Sequence, residues 1–145
     1  MDPTLSDQER LIAIKNQAIH RFDIVTFQAP DDPSMNYVKR VVGLPGESVA
    51  FQHDILYING QAYAEPFLNN HLKNLLESER FTNDFTFETL MIDEYVPEGM
   101  FFVLGDNRPA SKDSRAFGFI SNDSIFGTAR FAFWPLDRFG FIHAE

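Results

Sequence analysis

One decapeptide decides the fold prediction for this chain: residues 37–46 are YVKRVVGLPG. Its first six residues, 37–42, are rich in β-branched and aromatic side chains, which pack well on a pleated surface and predict a β-strand. Its last four residues combine Gly43 and Gly46 with a proline, so they predict a turn that ends the strand.

A lysine lies in the middle of this strand. Alternation places Tyr37, Lys39 and Val41 on one face. If Tyr37 and Val41 face an apolar site, Lys39 is partly desolvated, its pKa falls, and it can act as a general base near neutral pH. The alternative is a lysine on the solvated edge of a surface strand, and the hexapeptide alone leaves both interpretations open.

The rest of the chain also favours strands. Short apolar or alternating runs recur between turn residues, which is typical of a mainly β fold. Asn59-Gly60 predicts a hairpin, because both residues tolerate positive φ. The predicted strands are 9–15, 22–27, 37–42, 49–51, 55–58, 61–64, 101–104, 116–120 and 125–133.

One segment breaks the strand pattern. Leu68, Leu72, Leu75 and Leu76 have helical spacing and predict a helix over residues 67–79. The surrounding segment is too short to bury a core of its own. We therefore expect one domain over residues 1–145, with a β core at 1–65 and 98–137 and an insertion at 66–97.

Composition excludes several functions. The 145 residues carry a formal charge of −9, which disfavours nucleic acid as a partner. The absence of cysteine excludes disulfides and a cysteine nucleophile, and the four histidines have no metal-ligand spacing. We expect no metal and no cofactor. No apolar run approaches the roughly 18–20 residues that cross a bilayer.

A second polar segment follows the apolar strand 101–104. Residues 105–115 are GDNRPASKDSR, and side chains this polar after a core strand predict a network that holds the loop in one shape. Asp113 and Arg115 are two residues apart and can pair. An exposed charged turn is the alternative interpretation of this segment alone.

Together these segments closely resemble the bacterial type I signal peptidases. That family shows a Ser-Met-x-Pro-Thr box, a Gly/Phe-Asp-hydrophobic strand, a Tyr-x-Lys-Arg-x-x-Gly-x-Pro-Gly box and a Gly-Asp-Asn-Arg-x-x-Ser-x-Asp-Ser-Arg box, in this order. Here the order is MDPT at 1–4, FDIVTF at 22–27, the decapeptide, and residues 105–115. The resemblance runs from Met1 to about Trp134.

The resemblance implies a Ser–Lys dyad endopeptidase with the coiled β-sheet fold of these proteases and a short helical insertion. Lys39 matches the general base, and Ser111 matches the serine that hydrogen-bonds and orients the lysine. Asp113 and Arg115 match a structural ion pair. Asp106 and Arg40 match a second polar contact that we expect to brace the site.

The implied substrates are signal peptides of secretory preproteins, cut after small residues in an Ala-x-Ala pattern. An extended peptide would bind as an added strand beside the site. We expect Met1, Pro3, Tyr37 and Val41 to line the groove. The short insertion resembles that of Gram-positive members, and it implies a catalytic domain on the extracytoplasmic face of the cell membrane.

The chain departs from the family at its start. In the family box the serine nucleophile directly precedes the residue matched by Met1, so the sequence begins one residue after it. We expect a truncation that also removes an upstream transmembrane helix, and we expect the chain as printed to be inactive. The 16 phenylalanines predict a large core and an apolar surface patch that contacts the membrane.

Two alternatives belong to other functional classes. One is a catalytically inactive, signal-peptidase-like accessory protein of surface or pilus assembly, against which the retained Lys39 argues. The other is a self-cleaving Ser–Lys repressor, which would need a DNA-binding segment. The acidic charge and the lack of a helix-turn-helix pattern argue against the repressor.

Overall fold

The computed structural model describes residues 1–76 and 79–142, and the fold is mainly β. The strands are β1 Arg10–Ile14, β2 Ile24–Gln28, β3 Asn36–Gly43, β4 Val49–Gln52, β5 Ile55–Ile58, β6 Gln61–Tyr63, β7 Met100–Leu104, β8 Ile120–Ser121, β9 Ile125–Trp134 and β10 Gly140–Phe141. The helical elements are α1 Asn69–Leu72, α2 Ser114–Phe117 and the 3-10 turns Pro66–Leu68, Asn122–Ser124 and Leu136–Arg138.

The strands form two antiparallel sheets. The larger sheet has the order β1-β9-β2-β3-β7-β8, and β10 also pairs with β9; the smaller sheet has the order β4-β5-β6. β3 pairs with β2 along residues 36–40 but with β7 only from Arg40 onward. On the β7 side, residues 36–39 have no strand partner in the described part of the chain. This leaves an open strand edge beside Lys39.

Apolar side chains cover both faces of β3, as its alternation predicts. Val41 packs with Phe27 and Val103 in one cluster, whereas Val42 packs with Phe51 and Phe102 in another. The register of this strand is fixed by its polar residues, because a one-residue slip would exchange Lys39 and the buried Arg40 between the two faces.

The predicted hairpin at Asn59-Gly60 is confirmed. Both residues have positive φ, 50° and 79°, and they join β5 to β6. The insertion after this hairpin packs back on the sheets: Phe85 bridges to Phe51 of β4, and Phe87 belongs to the same apolar cluster.

The predicted helix over residues 67–79 is wrong in length. A 3-10 turn leads into α1, which ends at Leu72. Leu68 is 1 % exposed but Leu76 is 68 % exposed, so the leucine stripe has no continuous surface to pack against. Short helices are marginal without such packing. Residues 77–78 of the predicted helix lie outside the described residues.

The predicted strand over residues 116–120 is also wrong. Asp113 caps α2 by accepting a hydrogen bond from the backbone N–H of Arg115, and Gly118 ends the helix with a φ of 79°. Strand structure begins only at Ile120. An N-cap aspartate followed five residues later by glycine is typical of a one-turn helix, and the apolar residues between them concealed it.

The phenylalanines are divided between core and surface. Many are buried in the two clusters around β3, whereas Phe126, Phe133, Phe139 and Phe141 are exposed. Among residues 1–76 and 79–142, no helix has the length and hydrophobicity to cross a membrane.

Candidate active site

Lys39 lies on β3, partly buried, at the start of the open strand edge. Its ammonium group lies over the ring of Tyr37, 5.5 Å from the centroid. Burial lowers the pKa of Lys39 below the ordinary lysine value; the carboxylate of Asp113 opposes this shift and the guanidinium of Arg115 adds to it. Desolvation is the main cause of the lowered pKa. A lysine that acts as a general base requires such a desolvated environment.

Ser111 and Lys39 both lie close to Gly105. A Cβ atom built on Gly105 would lie 2.6 Å from Cβ of Ser111 and 3.6 Å from Nζ of Lys39. The hydroxyl of Ser111 is buried and has no hydrogen-bond partner within the described residues. The hydrogen bond between Ser111 and Lys39 that the resemblance implies is therefore not formed here, because Nζ lies over Tyr37 instead. The two groups nevertheless line one cavity.

The loop that carries Ser111 is closed on itself by Asp113. This carboxylate is fully buried and accepts hydrogen bonds from the backbone N–H of Gly105, at 3.0 Å, and from Nε and Nη2 of Arg115, both at 2.8 Å. Arg115 also donates to the carbonyl of Arg108 at 2.8 Å. The structure thus joins Asp113 to Arg115 and gives residues 105–115 one fixed shape.

Arg40 and Asp106 form a bidentate pair in the interior. Both side chains are 0 % exposed, and the two bonds measure 2.9 Å and 2.7 Å. Nη1 of Arg40 donates to the carbonyl of Phe22 at 3.0 Å, and Nη2 lies 3.3 Å from the hydroxyl of Thr4, which itself donates to Asp106. This junction connects the N-terminal loop, β3 and the 105–115 loop.

The N-terminal residue lies at the same place. Met1 lines a cavity of about 220 Å³ together with Tyr37, Lys39 and Ser111. Burial lowers the pKa of the Met1 amino group, and the positive charge of Lys39 lowers it further. The cavity that both residues line places Met1 beside Lys39.

The predicted groove residues do not all line a groove. The prediction that Val41 lines the groove is wrong, because Val41 is 0 % exposed in the core of the sheet. Pro3 is exposed, and its carbonyl accepts a hydrogen bond from Arg138. Met1 and Tyr37 do line a second cavity of about 390 Å³, which also has Leu5, Asn36 and Val38 in its wall. The turn closed by the bond from Leu5 N–H to the Met1 carbonyl places Leu5 beside Asn36 and Val38 of β3, and the strand pattern did not reveal this turn.

A further support of the site was not predicted. Arg108 is buried and pairs with Glu65, donates to the hydroxyl of Thr82 at 3.1 Å, and donates to the carbonyl of Gly105 at 3.0 Å. Burial raises the pKa of Glu65, and Arg108 opposes this rise. This contact joins the insertion to the Ser111 loop over long sequence distances, which no local pattern can reveal.

Metal-binding geometry is absent from the described part of the chain. No group of three or more His, Asp or Glu side chains there is placed to hold a metal ion. His143 lies outside the described residues.

Replacing Gly105 by alanine is expected to destabilise the protein by about 1–3 kcal/mol, because the added methyl group overlaps Ser111 in a packed interior. Chemical denaturation measures this change. Gly140→Ala is the matched control, since nothing lies within 4 Å of a Cβ at that position. Equal stability of Gly105→Ala and Gly140→Ala would contradict the close approach of Gly105 to Ser111.

Comparisons with known proteins agree with this geometry. The family model for signal peptidase, peptidase S26, matches residues 1–134. The chain is 45 % identical to signal peptidase I of Bacillus caldolyticus, covering 97 % of this chain and 78 % of that protein. It is 42 % identical to signal peptidase IB of Staphylococcus aureus strain Mu50, covering 96 % of this chain and 75 % of that protein.

A solved structure is similar over most of its length. The crystal structure of a signal peptidase I from Enterococcus faecalis V583 has a TM-score of 0.74 and 46 % identity, covering 77 % of this chain and 97 % of that chain. Family model, relatives and fold agree, and the chain therefore belongs to the bacterial type I signal peptidases.

Proposed function

We propose that this protein is a membrane-associated serine endopeptidase that removes N-terminal signal peptides from secreted preproteins with a Ser/Lys dyad. Lys39 is the general base, and the nucleophile is a serine directly before Met1. The cavity that Met1 shares with Lys39 and Ser111 carries this assignment. A residue attached before Met1 would extend from the wall of that cavity.

The chemistry needs only these two groups and water. Neutral Lys39 takes the serine proton while the serine oxygen attacks the scissile carbonyl carbon, and the protonated lysine then gives that proton to the leaving amine. Water activated by Lys39 hydrolyses the acyl-enzyme. The backbone N–H of the serine is an oxyanion donor. No histidine is required.

The surroundings of Lys39 suit this role. Its desolvation favours the neutral amine, and no carboxylate binds it directly in the described residues. Ser111 is the positioning residue, because its buried hydroxyl has no hydrogen-bond partner among the described residues and lies close to Gly105, as Nζ of Lys39 does. Asp113 with Arg115, and Arg40 with Asp106, hold the two segments that bring Lys39 and Ser111 together.

Substrate binding fits the open edge of β3. An extended peptide can add its backbone to residues 36–39, where β7 leaves the strand unpaired. Its alternate side chains then enter the cavities of about 390 and 220 Å³ that Met1, Tyr37 and Lys39 line. Cleavage after small residues in an Ala-x-Ala pattern is expected from the resemblance to the family.

The first test compares chains that differ only before Met1. A chain with serine at that position is expected to cleave a preprotein whose signal peptide ends in Ala-x-Ala. The printed chain is expected not to cleave it. In the serine-bearing chain, Lys39→Ala is expected to abolish cleavage because the base is lost. Ser111→Ala only weakens cleavage, because the hydroxyl orients Lys39 without reacting. Product release measured by mass spectrometry gives the rates.

Lys15→Ala is the control, because Lys15 is exposed. No cleavage by a folded serine-bearing chain with Lys39 intact would favour the non-enzymatic accessory protein. An unchanged rate for Lys39→Ala would show that another group is the base.

The pH dependence of the rate tests the desolvation of Lys39. Only the neutral amine accepts a proton, so kcat/KM rises as pH rises through the Lys39 pKa. Because burial lowers that pKa, the rise is expected below the ordinary lysine value of about 10.4. A pH–rate profile of the serine-bearing chain measures the midpoint. A midpoint at or above the ordinary lysine value would contradict a desolvated base.

Membrane association is supported by an exposed apolar patch, which consists of Ile12, Phe131, Trp134, Leu136, Phe139 and Phe141. Ile12, Phe131 and Phe141 are cross-strand partners on one face of β1, β9 and β10. Phe139 packs edge-on against Phe131, with ring centroids 4.7 Å apart. Phe139 and Phe141 are 63 % and 75 % exposed. The net charge of −9 disfavours attraction to anionic lipid, so the contact is apolar.

Vesicle binding tests the patch. Phe139→Asp/Phe141→Asp is expected to lower partitioning onto phosphatidylcholine vesicles by about 10-fold or more, because two large apolar side chains no longer enter the interface. Flotation of the 145-residue chain measures the bound fraction. Met91→Asp is the control, since Met91 is exposed outside the patch. Equal binding of both variants would remove the patch from the proposal.

A further inference from the structure

Arg138 connects the end of the chain to its beginning. It closes the 3-10 turn Leu136–Arg138 after β9, and it lies outside the residues that the family model matches. Nη1 donates to the hydroxyl of Ser6 at 2.5 Å, and Nη2 donates to the carbonyls of Thr4 at 3.2 Å and Pro3 at 3.3 Å. One guanidinium thus binds three residues of the N-terminal loop.

A buried carboxylate holds this guanidinium in place. Nε of Arg138 lies 2.9 Å from Glu9, whose side chain is 2 % exposed. Neither oxygen of Glu9 has an aligned hydrogen bond within the described residues, so the opposite charge of Arg138 is what compensates the carboxylate. Leaving such a charge unpaired is costly, which fixes the position of Arg138. The planar guanidinium then directs its other donors at the loop.

The N-terminal loop, residues 1–9, is also anchored by Leu5, which is buried in an apolar cluster with Ile24 and Ala129. It contains no strand, and its backbone bonds are the turns from Leu5 N–H to Met1 at 3.0 Å and from Glu9 N–H to Ser6 at 3.4 Å. The Thr4 side chain binds Asp106, and the Thr4 carbonyl binds Arg138. Asp106 therefore binds the side chain of Thr4, and Arg138 binds its backbone.

We propose that Arg138 is a positioning residue for the serine nucleophile, acting through the carbonyls of Pro3 and Thr4. This inference rests on the proposed function, since it concerns the residue attached to Met1. Arg138 contacts no reacting group; it fixes the chain that places the serine beside Lys39. A misplacement of about 1 Å lowers a rate by up to about 100-fold. Loss of Arg138 therefore lowers kcat. It also raises KM, but to a smaller extent, because Met1 and Leu5 of the loop line the substrate cavity whereas the open edge of β3 does not contact Arg138.

The test uses the serine-bearing chain and two measurements. The first is hydrogen exchange of the Leu5 and Glu9 amides, which reports loop order without any substrate. The second is kcat and KM on a soluble preprotein peptide. Arg138→Gln is expected to speed exchange of both amides by about 10-fold or more and to lower kcat by about 10- to 100-fold, with a smaller rise in KM.

Three variants separate positioning from general stability. Arg138→Lys keeps the charge opposite Glu9 and is expected to recover part of kcat. Glu9→Gln/Arg138→Gln removes the unpaired charge, so it is expected to regain the stability that Arg138→Gln loses while its exchange stays fast and its kcat low. Arg21→Gln is the matched control, because Arg21 binds Glu47 and the carbonyl of Val42 instead of the N-terminal loop.

Each outcome decides the inference. Unchanged exchange or unchanged kcat in Arg138→Gln overturns it, as does full recovery of kcat in the double variant. An equal loss of kcat in Arg21→Gln at equal stability also overturns it. If the unsubstituted serine-bearing chain cleaves nothing, the proposed function fails and takes the catalytic part with it, while hydrogen exchange still shows whether Arg138 orders the loop.

Discussion

The buried pair of Arg40 and Asp106 is the contact on which the site depends. Both side chains are fully excluded from water, so each needs the other, and isolating one would cost about 3–5 kcal/mol. The pair also binds the hydroxyl of Thr4 and the carbonyl of Phe22. Segments distant in sequence are thereby held at one point, and the N-terminal loop cannot move away from β3 without exposing or isolating a buried charge.

Two adjacent basic residues of β3 have different electrostatic surroundings. The Arg40 side chain lies on one face of the strand and pairs with the carboxylate of Asp106. The Lys39 side chain lies on the other face, over Tyr37, where it is desolvated and no carboxylate of the described residues binds it directly. Strand alternation creates this contrast from two adjacent basic residues. The paired arginine stabilises the architecture, and the desolvated lysine has the lowered pKa that a base needs. Closing the 105–115 loop with Asp113 then places Ser111 next to the lysine.

Local patterns predicted most strands and the hairpin at Asn59-Gly60, because side-chain alternation and turn chemistry act over a few residues. They failed where tertiary packing determines the structure. The leucine stripe forms only a short helix because it lacks a packing surface. Val41 is buried by strands that are distant in sequence. The pair of Glu65 with Arg108 and the reach of Arg138 to Thr4 join segments separated by 43 and 134 positions. Contacts of that range leave no local signature.

In the function we propose, the fold places the residue before Met1 against Lys39. A crystal structure of the chain carrying serine directly before Met1 tests this placement through the distance from the serine Oγ to Nζ of Lys39. We expect hydrogen-bonding distance, about 2.6–3.2 Å, with the pair of Arg40 and Asp106 intact. A serine directed away from Lys39, beyond the reach of a hydrogen bond or one bridging water, would contradict it.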